Sequence, residues 1–303
     1  MKFLMFSDLH YYPGMFYGDD LEISRLLIRR AEENGCEFIL HAGDLCHGPS
    51  TVPELMEVWD GSPVPVYHCL GNHDTDKTAL TETLAAYHMP DGHYFFDHGG
   101  YRFVVMDPNY CIIDGEYRHY DMGNYYATPE ARDATPPEQL AWMQDVIASA
   151  PGRCVLVSHS SYEREDNARE YEQFQKIVRQ ANEAVPGKVL LVMNGHFHRD
   201  HRAIVDNVLY WDVNAVNYDW VEGDHHNGYP EELCKKWKAL SHTVAYTKPL
   251  YAIVTLEGNT IQIEGTQSEM LLGVTRQMLG KARLDSAGRS VRPQIQSCRI
   301  TLG

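Results

Sequence analysis

Short apolar runs alternate with stretches of helical periodicity through the first two thirds of the chain. Phe3–Phe6 reads as a buried strand, and Leu21–Glu33 as a helix with Leu21, Leu26, Leu27 and Ile28 on its apolar side. Phe38–Leu40 and Val64–Leu70 are further strands, and Thr75–Tyr87 is a helix between turn signals. The rhythm then changes. Tyr94–Phe96 and Tyr101–Met106 flank His98-Gly99-Gly100 as a hairpin, and a helix over Pro136–Ala148 follows. Next come a strand at Cys154–Val157, a helix over Glu170–Ala184 and a strand at Val189–Met193. Two more hairpins close the pattern: Arg202–Val205 with Val208–Trp211, and Tyr251–Leu256 with Thr260–Glu264. Hairpins mixed with strand-helix alternation predict an α/β fold of two packed sheets with helices outside.

Two stretches interrupt this order. Asp107–Thr135 and Asn214–Lys248 are long, weakly periodic and rich in Tyr, His, Asn and Gly. Loops of that length inside a compact domain are usually functional or mobile.

With 303 residues the chain is long enough to bury a full core without staples. A formal net charge of -16 disfavours stable binding to nucleic acid or an anionic membrane. The seven cysteines contain no C-x-x-C pair, which argues against a zinc ribbon or a dithiol centre. Cys69 and Cys154 lie in apolar runs as packed, reduced thiols. The apolar run at Met1–Phe6 is too short for a signal-peptide core and no stretch approaches a membrane span, so a cytoplasmic protein is expected. The 16 histidines are many for this length, and metal ligation is the commonest reason for His clusters.

Five of those histidines fall into an ordered series with acidic and amide residues: Asp8-Leu9-His10, Gly43-Asp44, Gly71-Asn72-His73-Asp74, His159, and Gly195-His196-Phe197-His198. Each block follows a predicted strand, where ligands of α/β sheets collect. On an extended chain, side chains two residues apart point the same way, so Asp8 with His10, and His196 with His198, can each reach one ion together. Imidazole and carboxylate donors suit Mn, Fe or Zn better than Ca. Asp8 and Asp44 bring two negative charges against about four positive from two divalent ions, which leaves a centre that attracts phosphate.

With every block of the series D-x-H, G-D, G-N-H-[DE], H and G-H-x-H intact, the chain resembles the calcineurin-like metallophosphoesterases over roughly Met1 to Gly265. The resemblance implies a four-layer α/β/β/α sandwich of two mixed sheets flanked by helices. It implies two divalent or mixed-valence ions, Mn, Fe or Zn. Asp8, His10 and His198 would bind one, Asn72, His159 and His196 the other, and Asp44 would bridge them. A bridging hydroxide would attack phosphorus in line, with His73 as the acid and Asp74 behind it orienting the imidazole. On this reading residues 1–265 form the metallophosphoesterase domain, with long loops at 107–135 and 214–248, and 266–303 a C-terminal extension packed on it.

Departures narrow the comparison. Purple acid phosphatases place Tyr three residues after the bridging Asp, where this chain has His47. The G-D-x-V-D-R-G arginine clamp of Ser/Thr protein phosphatases is missing from Gly43-Asp44-Leu45-Cys46-His47-Gly48. The pattern is nearer to bacterial class III cyclic-nucleotide phosphodiesterases. The expected substrate is a small phosphate ester, more readily a diester. A nuclease on single-stranded or short nucleic acid, or a phosphomonoesterase, is the alternative.

Four residues are candidates for substrate contact: His47, His119, Tyr120 and Asn214. His47 reads as a donor behind a ligand, as a substrate contact or, equally, as a surface-loop side chain. The aromatic loop residues Tyr110, Tyr117, His119, Tyr120, Tyr125 and Tyr126 read either as a cap that stacks on a base or as a loop folded on its own rings. Asn214, Asn217, Tyr218 and Trp220 follow the hairpin after His198, at the expected rim. His225 and His226 are adjacent, so their side chains diverge and joint ligation is awkward.

Overall fold

A computed structural model describes residues 1–128, 131–221, 228–284 and 288–303, so His225 and His226 lie outside the described residues. Two six-stranded sheets face each other. The first runs Cys298–Thr301, Thr260–Gly265, Ala252–Glu257, Lys2–Phe6, Phe38–His41, Val66–His68. The second runs His201–Val205, Val208–Asp212, Val189–Asn194, Arg153–Val157, Tyr101–Val105, Tyr94–His98. Both mix parallel and antiparallel pairs.

Strand pleating explains the layers. Phe3, Met5, Phe38 and Leu40 point between the sheets and meet Phe103, Val105, Val155, Val157, Leu191 and Met193. Their neighbours Leu4, Phe6 and Ile39 point outward onto Leu27 of the helix Asp20–Glu33 and onto Leu55 and Trp59 of the helix Pro53–Asp60. On the opposite side Val104, Cys154, Leu156 and Val192 meet Leu140 and Met143 of the helix Pro137–Ser149, and Phe174 and Val178 of the helix Tyr171–Ala184. Both faces of the central strands are therefore buried. That is why they read as continuous apolar runs without a polar alternation. Phe3 stacks on Phe38 at 4.9 Å and meets the edge of Phe103 at 5.6 Å, a position where a hole of Phe size costs about 3–5 kcal/mol. The result is a four-layer α/β/β/α sandwich. None of the described helices is long and apolar enough to cross a membrane.

The long loops carry more structure than their sequence suggests. Residues 107–135 contain a small hairpin, Tyr110–Ile113 with Glu116–His119, and a 3-10 turn at Asn124–Ala127. Residues 214–248 contain the strand pair Tyr218–Trp220 and Thr243–Ala245 and the short helix Glu231–Lys236. The helix predicted over Thr75–Tyr87 forms only at Leu80–Ala86. Its first N–H is capped from a distance, by Asp121 Oδ1 accepting from Leu80 N at 3.0 Å, and Thr75–Ala79 remains a loop.

Asp20, in the first turn of the helix Asp20–Glu33, is buried and accepts from Asn217 Nδ2 at 2.9 Å. Burial pushes its carboxyl up to about 7. A carboxyl raised above its unfolded value of 3.8 adds stability below that value and loses it as pH climbs through 7. Asp20→Asn keeps an oxygen for Asn217 and removes the ionisation. Between pH 4 and pH 8 the variant should therefore gain stability relative to the wild type, by at most about 4 kcal/mol. Urea unfolding at the two pH values measures the difference, and an unchanged gap would refute it.

Candidate metal centre

The strands Lys2–Phe6, Phe38–His41 and Val66–His68 are parallel, as are Arg153–Val157 and Val189–Asn194. Their carboxyl ends share one rim of the sandwich, and each is followed within a few residues by one of the five sequence blocks. The fold thereby brings Asp8, His10, Asp44, Asn72, His159, His196 and His198 together.

The local backbone is not extended, as the two-residue spacing suggested. Asp8, His10, Asp44, His196 and His198 all have positive φ, between 51° and 69°. Left-handed backbone at non-glycine residues costs about 1–3 kcal/mol each and persists where surrounding structure over-determines it. Gly71 and Gly195 show how closely the chain is packed: a Cβ at Gly71 would collide with the Asp44 carboxylate, and one at Gly195 with Ser7 and Asp8.

The donors form two groups that share one oxygen. In the first, His10 Nε2 and His198 Nε2 are 3.2 Å apart, and Asp8 Oδ1 lies 3.3 Å from His198 Nε2 and 3.7 Å from His10 Nε2. In the second, His196 Nδ1 lies 3.2 Å from Asn72 Oδ1 and 3.4 Å from His159 Nε2. Asp44 Oδ2 belongs to both, at 3.4 Å from His10 Nε2 and 3.0 Å from His159 Nε2.

These residues fit cations. Two donors about 2.1 Å from a common ion, at about 90–110° to each other, lie roughly 3.0–3.4 Å apart. The rings are also oriented for it. His159 Nδ1 donates to Ala42 O at 2.8 Å and His198 Nδ1 faces Tyr218 O at 3.2 Å, which leaves an Nε2 lone pair on each. His10 Nδ1 faces His47 Nε2 at 3.2 Å. With Nδ1 of both rings turned to a neighbour, the Nε2 atoms of His10 and His198 face each other across 3.2 Å, an arrangement that a shared cation satisfies. All seven side chains are buried or nearly so, and Asp8 and His159 are completely enclosed.

The electrostatics follow from that crowding. Burial works to raise both carboxyls, but the surrounding imidazoles hold Asp8 and Asp44 well below the usual carboxylate range. Burial also opposes protonation of His159, yet Asp44 and Asp8 keep it up at about 10, so a cation taking its Nε2 lone pair would displace a proton there, whereas His10 is pushed down to about 3, chiefly by burial.

Asp74 does not orient His73. Its two oxygens accept from Asp44 N, Leu45 N, Cys46 N and Gly71 N at 2.8–3.2 Å and from Tyr87 Oη at 2.7 Å. It staples the loop bearing Asp44 to the loop bearing Asn72. The imidazole of His73 is held instead by Asp76, with Oδ2 2.9 Å from Nδ1. Tyr125 and Tyr126 hydroxyls reach the same nitrogen at 3.1 and 2.9 Å. Sequence reasoning passed over Asp76, although its position three residues after His73, within a turn, was the available signal. Asp74→Asn sets an amide NH₂ against backbone donors, and each buried unmet donor costs about 1–3 kcal/mol. The variant should lose stability in urea and release metal. Normal stability combined with a rate loss confined to poor leaving groups would return Asp74 to the imidazole.

The substrate-contact candidates are otherwise engaged. His47 places Nδ1 2.9 Å from Asp76 Oδ2 and Nε2 against His10, so it braces a ligand. His119 pairs with Asp107 at 2.7 Å. The hydroxyl of Tyr120 is taken by Asp133 at 2.7 Å, although its ring lines a hollow beside Asn72 and His196. Asn214 is fully buried and donates to Arg292 O and Gln294 O. The groups that do line the cavity over the centre, of about 470 Å³, include Phe197, Arg199, Trp220 and Arg289. Of these, sequence reasoning had singled out Trp220 alone as a rim residue.

A family model described as calcineurin-like phosphoesterase matches residues 1–200. Among solved structures, a dimetal phosphatase from Danio rerio is 14% identical, with a TM-score of 0.61 over 90% of this chain and 99% of that one. GAP50, the anchor in the inner membrane complex of Plasmodium, is 11% identical, with a TM-score of 0.55 over 100% and 89%. PhoD is 11% identical, with a TM-score of 0.51 over 99% and 68%. At such identities the likeness is one of fold. No curated protein matches the chain.

Proposed function

The chain belongs to the calcineurin-like phosphoesterase family, whose members are dimetal-dependent hydrolases of phosphate esters, and from that premise we propose that its own substrate is a small phosphodiester. Asp8, His10, His198 and Asp44 form one half of the centre in this reading, and Asn72, His159, His196 and Asp44 the other. Bound there, two cations such as Mn, Fe or Zn supply Lewis acidity to the phosphoryl group. The chain does the rest. His47 and the carbonyls of Ala42 and Tyr218 fix the ligand imidazoles. His73 holds a proton for the departing oxygen: burial opposes that proton, but the carboxylates of Asp44 and Asp76 outweigh burial and hold the group above its ordinary value. With Nδ1 occupied by Asp76, Tyr125 and Tyr126, Nε2 is the atom that serves the leaving group.

One observation favours the diester. Both arginines of the cavity are matched by carboxylates, Arg199 by Asp219 at 3.1 Å and Arg289 by Asp166 and Asp212 at 2.9 and 3.4 Å. The wall therefore adds no net positive charge to receive the second charge of a monoester. The test compares kcat/KM for bis-p-nitrophenyl phosphate, p-nitrophenyl phosphate, 2′,3′- and 3′,5′-cyclic nucleotides and a short single-stranded oligonucleotide, with Mn, Fe or Zn loaded. Preference for the small diesters is expected. Tenfold preference for the monoester overturns the proposal, and nucleotide release from the oligonucleotide with steep salt dependence replaces it with a nuclease.

A further inference from the structure

Arg289 comes from the segment after residue 265, far from the family-matched residues 1–200, yet it lines the cavity over the metal centre. Its side chain is almost fully buried. The guanidinium carbon lies 3.3 Å from the centroid of the Phe197 ring, the residue between His196 and His198. Nη2 donates to Asp166 at 2.9 Å, in the loop that leaves His159, and Nη1 reaches Asp212 at 3.4 Å, at the end of the strand beside Val189–Asn194. Its carbonyl accepts from Arg199 Nη1 at 3.0 Å, just past His198. One residue thus ties together the two loops that carry His159 and His196.

We propose that Arg289 is a positioning residue for the Asn72–His159–His196 half of the centre and sets the affinity of that half for its cation. The physical reason is leverage. His196 sits on a left-handed turn, and the ring of Phe197 next to it carries the Arg289 guanidinium on its face. A planar cation stacked on that ring and anchored in the His159 loop fixes the distance between the two imidazoles. A merely structural ion pair would instead lower stability and leave the two cation affinities in proportion.

The inference rests on the proposed division of the donors, and a single titration series separates the two questions. Metal-free wild type, R289M and R289K are titrated with Zn²⁺ or Mn²⁺ by calorimetry with a competing chelator, and urea unfolding is followed alongside. Asn72→Ala, which removes a donor from one half only, identifies the step that belongs to it. Two steps are expected in the wild type. R289M should weaken the Asn72-sensitive step about 10–100-fold and leave the other within about threefold. R289K, which keeps the charge without the planar stack, should recover only part of the loss. Asp166→Asn removes one anchor while Arg289 keeps the others, and serves if R289M does not fold; it should weaken the same step to a smaller degree. Unchanged affinities in these variants, or parallel loss in both steps, overturn the proposal. Uptake of fewer than two ions by the wild type breaks the division of donors itself.

Discussion

Asp44→Asn is expected to abolish turnover and to release both cations together. Asp44 is the only described residue whose carboxylate oxygen lies within 3.4 Å of imidazoles from both groups, through Oδ2 to His10 and His159. Its other oxygen accepts from His73 N at 2.8 Å. An amide cannot serve both places. With its NH₂ toward the imidazoles it repels cations, and with its NH₂ toward His73 it faces an N–H. The charge lost is one of two that balance the centre. An effect of several kcal/mol on the transition state corresponds to about 10³-fold or more in kcat/KM. Metal content per chain and turnover are the measurements. Two ions per chain with normal turnover would remove Asp44 from the bridging role.

His73→Ala should split substrates by leaving group. A positioned proton donor contributes about 10²–10⁴-fold, and only where the leaving oxygen is basic. p-Nitrophenolate departs without help; an alkoxide or a nucleoside oxygen does not. The variant should therefore lose about 10²–10⁴-fold on nucleoside or alkyl diesters and little on the p-nitrophenyl ester, with both ions retained. Asp76→Asn should show the same slope with a smaller loss, because Asp76 acts through the imidazole. Equal loss across the series would argue against proton donation, and a missing ion would make His73 a ligand.

The strand and helix pattern was legible to within a residue or two at most elements, because buried parallel strands must be apolar on both faces and outer helices must carry one apolar stripe. Phe3–Phe6, Phe38–Leu40 and Val189–Met193 are such strands. The failure at Thr75–Ala79 has a physical cause. Its periodicity is helical, but the turn after His73 is needed to bring Asp76 to the imidazole, and the helix is capped by Asp121 from a loop about forty residues on. The misreading of Asp74 has a similar cause. The family resemblance implied Asp74 as a partner for His73, whereas the backbone N–H groups of two neighbouring loops converge on that carboxylate once the sheet has formed.

What the sequence determined by itself was the donor inventory and its order: carboxylate, amide and imidazole groups placed just past successive strand ends, whose chemistry admits few uses other than holding cations. It also determined the layers, since periodicity is a local property of the chain. Only the tertiary structure decided which donors face one another, that Asp44 Oδ2 belongs to both groups, and that five of these residues adopt left-handed backbone. It alone decided that Asp76, Tyr125 and Tyr126 meet at His73 and that Arg289 closes over Phe197. Such contacts join segments as far apart as His10 and His198, 188 residues along the chain. Apart from the three-residue step from His73 to Asp76, local spacing does not encode them, because they depend on where two twisted sheets bring their loops when they pack.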